Sequence, residues 1–267
     1  MIRCENLHVT FNQGQPTEKL ALCGIDLCIP SGEFVTVIGS NGAGKSTLLN
    51  TIAGDIKSSR GKIYFSERDV TKLSATARTK DIARVFQDPL AGTCGNLTVE
   101  ENMALAYGRG SRGGLSFALN SKLRIIFKEQ LSRLNLGLED RLESEMGLLS
   151  GGQRQSVSLL MSALQPSSIL LLDEHTAALD PKTAALIMDI SSQIITEKQL
   201  TVMMVTHSMR QALDHGSRTV MLHEGKVIFD LVGQERATYQ VKDLLNLFAK
   251  ARNDGQELDD DKLLLGA

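Results

Sequence analysis

Tryptophan is absent from the 267 residues, and aromatic residues of all kinds make up only 4%. Aliphatic side chains are therefore expected to fill the core. No apolar run approaches the roughly 20 residues needed to cross a bilayer, so no membrane helix is expected. The start, MIRCENLHVTF, lacks a basic segment followed by an apolar stretch and does not read as a signal peptide. Net charge is −2, and no block of Lys or Arg stands out. A nucleic-acid partner would need a basic stripe, so none is expected. Direct adhesion to anionic lipid is disfavoured for the same reason. Cys4, Cys23, Cys28 and Cys94 form no CxxC pair and no Cys/His cluster at zinc spacing. They read as reduced core or surface thiols.

What is present suits a globular chain with a real core: 42% hydrophobic and 22% charged residues. Residues 2–11 and the alternating stretch 20–29 read as strands. Residues 34–38 form an almost continuous apolar run, the pattern of a parallel strand buried on both faces. A helix is expected over 45–53, stopped by Gly54. Shorter strands follow at 62–65 and 82–86. Residues 98–164 are helical in pattern, with a clear stretch at 122–136 and a loop at 108–114. Strands return at 168–172 and 200–205, with a helix over 181–196 between them. Residues 218–222 and 226–231 read as a hairpin, and 241–251 as an amphipathic helix. The end of the chain, NDGQELDDDK onward, is acidic and reads as solvated.

Three motifs carry chemistry. GSNGAGKST, comprising Gly39, Ser40, Asn41, Gly42, Ala43, Gly44, Lys45, Ser46 and Thr47, fits G-x-x-x-x-G-K-[ST]. It sits between a buried strand and a helix, the context that motif requires. Its glycines let backbone N–H groups wrap phosphates, and the following helix points its positive end at them. Lys45 suits the β- and γ-phosphates, Ser46 a Mg2+ ion, and Thr47 the α/β side. The second motif is ILLLDE, an apolar strand ending in Asp173 and Glu174. Asp173 suits the Mg2+ shell, directly or through water. Glu174 suits accepting a proton from the attacking water, or orienting it. The third is LSGGQ, where Ser150, Gly151, Gly152 and Gln153 open a helix. Ser150 and Gln153 also fit a capping box.

With LSGGQ the sequence resembles the ATP-binding cassette (ABC) transporter ATPases over residues 2–251. The resemblance implies an α/β fold: a P-loop NTPase core of ABC type, an N-terminal antiparallel β-subdomain and an inserted α-helical subdomain. One nucleotide-binding domain would span 1–252. Its α/β core would take 1–97 and 166–238, the helical subdomain about 98–165, and a C-terminal helix about 239–252. The acidic tail would be 253–267.

The resemblance also implies roles. ATP and Mg2+ are the cofactors, and Lys45, Glu174 and His207 are the catalytic group. Ser46, Gln87 and Asp173 serve Mg2+, and Gln87 also senses the γ-phosphate. His207, in VTHS, reaches that phosphate. Ser150, Gly151, Gly152, Gln153 and Asp180 contact ATP held by a second copy, so the chain is expected to act as a homodimer. Phe11 stands where an aromatic stacks on adenine; its alternative is a core residue. His175 departs from the family, which usually has proline there.

By resemblance the ATPase energises a separate membrane permease, through the region 88–102, with a solute-binding protein acting indirectly. It would sit at the cytoplasmic face of the membrane. GTCGNLTVEENMALAYGRG, DEHTAALDPKTA and THSMRQALDHGSR resemble the tryptophan/tyrosine-type uptake branch, so an importer of amino acids or a similar small solute is expected. The alternative is a single-cassette ATPase of a soluble assembly complex, of the iron–sulfur assembly type.

Overall fold

A computed structural model describes residues 1–109 and 120–251. Most of the loop expected at 108–114, and the acidic tail, lie outside the described residues. The chain divides into two units: residues 1–78 with the chain from Leu200 onward, and Thr79–Gln199.

The first unit begins with an antiparallel sheet of β1 (Ile2–Phe11), β2 (Lys19–Ile29), β4 (Arg60–Phe65) and β5 (Arg68–Asp69), ordered β2-β1-β4-β5. Ile2, Cys4, Leu7 and Val9 of β1 are buried. Cys4 to Leu7 is an odd step, as is Leu22 to Ile25 on β2. In a regular strand an odd step sends a side chain to the opposite face. Bulges absorb both steps. Cys4 pairs with Leu27, Leu7 with Ile25 and His8 with Cys23, which leaves Gly24 (φ 79°) as an extra residue and Asn6 at φ 45°. The simple alternation expected over 20–29 therefore holds only from Ile25 onward. Leu20 is 52% exposed, while Ala21 and Leu22 are both buried.

The unit's second sheet comprises β3 (Phe34–Ile38), β8 (Thr201–Val205), β9 (Arg218–His223) and β10 (Lys226–Val232) in the order β10-β9-β3-β8. β3 runs parallel to both β8 and β9. Val35, Thr36, Val37 and Ile38 are all buried, as expected for a central parallel strand. Glu224 and Gly225 both have positive φ, 46° and 75°, and close the β9–β10 hairpin as a primed two-residue turn. Three helices that the sequence pattern did not single out follow strands in this unit: α2 (Ala75–Arg78), α7 (Met209–Asp214) and α8 (Gly233–Thr238). Each is too short to display a helical period. The longer α9 (Val241–Ala251) buries Leu244 and Phe248 against Ile38, Met209 and Met221.

α1 (Lys45–Ala53) ends at Gly54, φ 94°. Its last carbonyls meet the guanidinium of Arg78, which is 2% exposed. Arg78 donates to Thr51 O (2.8 Å) and Ile52 O (2.7 Å) with one nitrogen, and to Val70 O (2.7 Å) and Thr71 O (3.1 Å) with the other. A cation at a helix C-terminus is favoured by the backbone dipole. Burial pulls the Arg78 pKa below the ordinary arginine value, partly opposed by Cys4, Asp55 and Asp69. An arginine still stays charged. Arg78→Met is expected to lower the unfolding free energy by about 3 kcal/mol, because it removes charged donors from buried carbonyls. Urea denaturation of the full chain reads this directly. A loss within experimental error would mean that those carbonyls find other donors.

The second unit carries a parallel pair, β6 (Ile82–Val85) and β7 (Ile169–Asp173), in register from Ile82↔Ile169 to Val85↔Leu172. Its helices are α3 (Val99–Tyr107), α4 (Ser121–Ser132), α5 (Gly151–Ala163) and α6 (Pro181–Lys198). Capping boxes start α3 at Thr98/Glu101 and α5 at Ser150/Gln153. Asp180 caps α6, with Pro181 in its first turn. α4 packs Phe127 edge-on to Tyr107 of α3, ring centroids 6.2 Å apart. The helix expected to reach 136 stops at Ser132. Asn135 (φ 54°) and Gly137 (φ 65°) turn the chain left-handed just beyond it.

Candidate functional site

The phosphate-loop motif occupies the turn from β3 into α1, wholly within the first unit. Two of its glycines are forced by close packing. At Gly39 (φ 149°) a Cβ would stand 2.2 Å from Leu222 O, and at Gly44 (φ 102°) 2.8 Å from Ala21 O. The loop is thereby pressed between β9 and β2, two elements far apart in sequence. Lys45 is 5% exposed. Its Nζ donates to Gly39 O (2.8 Å) and Ser40 O (3.1 Å), so the loop closes around its own ammonium. Asn41 and Gly42 form an exposed tip, Ala43 is buried, Ser46 is exposed and Thr47 is half-buried. The start of α1 has no side-chain cap. Its first-turn N–H groups and dipole are the kind that bind phosphate.

His207 follows β8, the strand beside β3. Thr206 N donates to Val37 O (3.1 Å), so the strand ends that carry His207 and Gly39 lie on one edge of the sheet. The turn around His207 is tied locally. Thr206 Oγ1 donates to Gln211 Oε1 (2.8 Å), Ser208 N to Thr206 Oγ1 (3.1 Å) and Gln211 N to Ser208 Oγ (3.2 Å). Phe11, at the end of β1, is 38% exposed, which removes its alternative reading as a core residue.

The acidic pair lies in the second unit, at the end of β7. Asp173 is bridged by Arg84 of β6, Nη2 to Oδ2 at 2.8 Å, with both side chains largely buried. Arg84 also stacks over Phe86, 4.3 Å from its ring centroid. Glu174 is 7% exposed and sits at φ 45°. A left-handed glutamate is sparsely populated and marks a constrained turn. Gln87 lies two residues past β6, whose last residue pairs with Leu172, so it leaves the parallel pair on the same edge as Asp173. Its side chain is exposed.

The LSGGQ residues open α5 in the same unit. Gln153 N donates to Ser150 Oγ (3.2 Å) and Ser150 N to Gln153 Oε1 (3.2 Å). Gly152 lies against α6: a Cβ there would be 2.4 Å from Thr183 Cγ2. Thr183 N in turn donates to Asp180 Oδ1 (3.1 Å). Bonds from Thr183 hold the Asp180 carboxyl below the usual carboxylate range. The anionic cap of α6 is thus fully present above the ordinary carboxylate pKa and is lost as pH falls through the depressed one. The starts of α5 and α6, which carry Ser150 and Asp180, form one surface.

Several contacts were not legible beforehand. Arg84 stands out as a lone charge in the apolar run IARV, a signal that was available. The setting of His175 was not. His175 is 2% exposed, and its Nε2 is 3.2 Å from Ser191 Oγ. The Ser191 hydroxyl already donates to Ile187 O (2.7 Å), so His175 Nε2–H is the donor in that pair. A buried hydrogen bond thus ties His175 to α6. A groove of about 420 Å3 also opens in this unit, lined among others by Arg84, Phe86, Cys94, Asn102, Arg109 and Met161.

Comparison with known proteins decides what these motifs belong to. Residues 22–177 match the family described as ABC transporter. The chain belongs to the ABC transporter family. It is 43% identical over 253 residues to a tyrosine transport ATP-binding protein of Clostridioides difficile (strain R20291), covering 94% of this chain and 100% of that one. It is 32% identical to the phosphonates import ATP-binding protein PhnC of Lactococcus lactis subsp. cremoris (strain SK11), over 88% of this chain and 94% of the relative. Among solved structures it is similar to the dimeric, post-hydrolysis, ADP- and Pi-bound ATP-binding cassette MJ0796. The TM-score is 0.76 at 30% identity, covering 87% of this chain and 98% of that one. The fold is accordingly the ABC ATPase cassette, and the protein is an ABC transporter ATP-binding subunit that hydrolyses ATP. No helix among the described residues is long and apolar enough to cross a membrane.

Proposed function

We propose that this ABC ATPase powers an importer of an amino acid, of the tyrosine type, by closing as a homodimer on ATP and reopening after hydrolysis. The observation that carries the cargo class is the match along the whole length of a relative named for tyrosine transport. Cargo never touches the ATPase, so this step is by analogy of the whole chain and not from a site. Dimer closure is supported by the dimeric cassette at 30% identity and by the joint surface of Ser150 and Asp180.

The residue roles in this reading join the chemistry of each group to the family resemblance. Backbone N–H groups of 39–47 and the start of α1 bind the phosphates, and Lys45 leaves its loop carbonyls for the β- and γ-phosphates. Phe11 offers adenine a ring face. Glu174 takes a proton from the attacking water or orients it, and His207 holds the γ-phosphate. Ser150, Gly151, Gly152, Gln153 and Asp180 complete the site of the second copy.

Ser46, Asp173 and Gln87 supply hydroxyl, carboxylate and amide oxygens. That donor set suits a hard ion such as Mg2+. When bound, the ion neutralises charge on the β- and γ-phosphates. The Arg84 bridge fixes the direction of the Asp173 carboxylate.

The groove lined by Arg84, Phe86 and Met161 is the surface we assign to a permease segment. Co-expression with the adjacent genes, followed by membrane fractionation, tests the importer reading. The expected result is that the chain sediments with membranes and purifies with a permease, and that tyrosine with its binding protein raises ATP turnover. A wholly soluble chain that purifies with soluble assembly factors would replace this reading with the assembly-complex one.

A further inference from the structure

We propose that Arg236, on α8, is a positioning residue for His207, acting through the short helix α7. The inference rests on the reading of His207 as the residue that holds the γ-phosphate. All the groups concerned lie in the first unit.

α7 has only six residues, and its N-terminal cap is Ser208, the neighbour of His207. A helix this short has little stability of its own. Its direction must be set from outside, and whatever sets it also aims His207. The front end is tied by the Thr206, Ser208 and Gln211 bonds described above.

The far end is tied by Arg236, which is 9% exposed. One Arg236 nitrogen donates to Ala212 O (2.6 Å), Leu213 O (3.0 Å) and His215 O (2.6 Å), carbonyls at and just past the end of α7. Arg236 Nε donates to Thr219 Oγ1 (2.9 Å) on β9. Thr219 Oγ1 lies 3.1 Å from Ala212 O and 3.0 Å from Thr36 Oγ1, and Thr36 is on the strand that enters the phosphate loop. Thr36 Oγ1 also donates to Ala212 O (3.1 Å), so the guanidinium and the two threonine hydroxyls together fasten α7 to the two strands on which the loop rests, with Arg236 supplying the bonds to Leu213 and His215. The guanidinium bears on the helix dipole from its favourable end. Lysine has no planar fork and cannot hold this set of acceptors together.

The function does not otherwise require a buried arginine at this position. Arg236 touches no residue of the phosphate loop. Its direct bonds to α7 bear on the aim of His207, while its path to the phosphate loop runs only through Thr219 and Thr36.

A double-mutant cycle in the full chain tests this, reading kcat and KM for ATP with ATP binding and thermal unfolding as controls. Arg236→Met is expected to lower kcat tenfold to a hundredfold, roughly the cost of a misplacement of about 1 Å. KM for ATP should change by less than about twofold, since uniform binding is untouched. In a His207→Ala background, Arg236→Met should lower kcat no further, because groups that act as one unit are not additive. Arg236→Lys should recover part of the loss. An equal fall in both backgrounds, or an unchanged kcat in Arg236→Met, overturns the inference. An unchanged kcat in His207→Ala overturns the reading of His207 itself, and this inference with it. If Arg236→Met does not fold, the same cycle with Arg236→Lys decides by the same criterion.

Discussion

Glu174→Gln is expected to bind ATP as the native chain does and to hydrolyse it a hundredfold to ten-thousandfold more slowly, the range that a positioned general base contributes. In activation free energy that is about 3–5 kcal/mol. The substitution is close to isosteric. Glutamine tolerates the left-handed backbone of Glu174 (φ 45°) no worse than glutamate does, so the turn after β7 should persist. What changes is the oxygen that takes the proton: an amide cannot accept it. With binding intact and turnover stopped, the ATP-closed dimer should accumulate. Single-turnover hydrolysis, nucleotide binding and light scattering check the three parts. Native turnover in the variant would remove Glu174 as the catalytic carboxylate. Slow turnover with no dimer would separate catalysis from closure.

Ser150→Arg should abolish dimer-dependent hydrolysis, by about a hundredfold or more if closure is needed to complete the transition-state contacts. Ser150 is exposed at the first turn of α5, so an arginine there fits the monomer. It does cost the cap of α5, about 1 kcal/mol. It also places a cation at the positive end of a helix. Ser150→Ala loses the same cap without bulk or charge and separates the two effects. ATP affinity of the isolated monomer should be unchanged in both variants, because the in-trans assignment gives Ser150 no role toward the nucleotide that its own chain holds. A native rate in Ser150→Arg would break the in-trans assignment, whatever its effect on stability.

The features that were legible beforehand are those with local causes. The buried strand β3, the glycine stop at Gly54 and the capping box of α5 follow from a few neighbouring residues each. The phosphate loop and the acidic strand end were legible because their chemistry fixes residue types at fixed spacing. What was not legible depends on contacts between distant segments. The bulge at Gly24 exists because β1 and β2 each carry an odd step that must be reconciled across the pair. α7 is held by an arginine more than 20 residues further on. His175 finds its partner on α6, and no period or motif ties residue 175 to residue 191.

The contact between Gly152 and Thr183 has a consequence for how the protein can vary. A Cβ at Gly152 would sit 2.4 Å from the Thr183 methyl, so the first turns of α5 and α6 are locked at one distance. Ser150 and Asp180 ride on those turns and cannot be re-aimed independently. A lineage that needed a different grip on nucleotide would have to change both helices in one step, or first replace Thr183 by a smaller residue and pass through a looser intermediate. Position 183 is therefore where a smaller side chain would first loosen the spacing between Ser150 and Asp180.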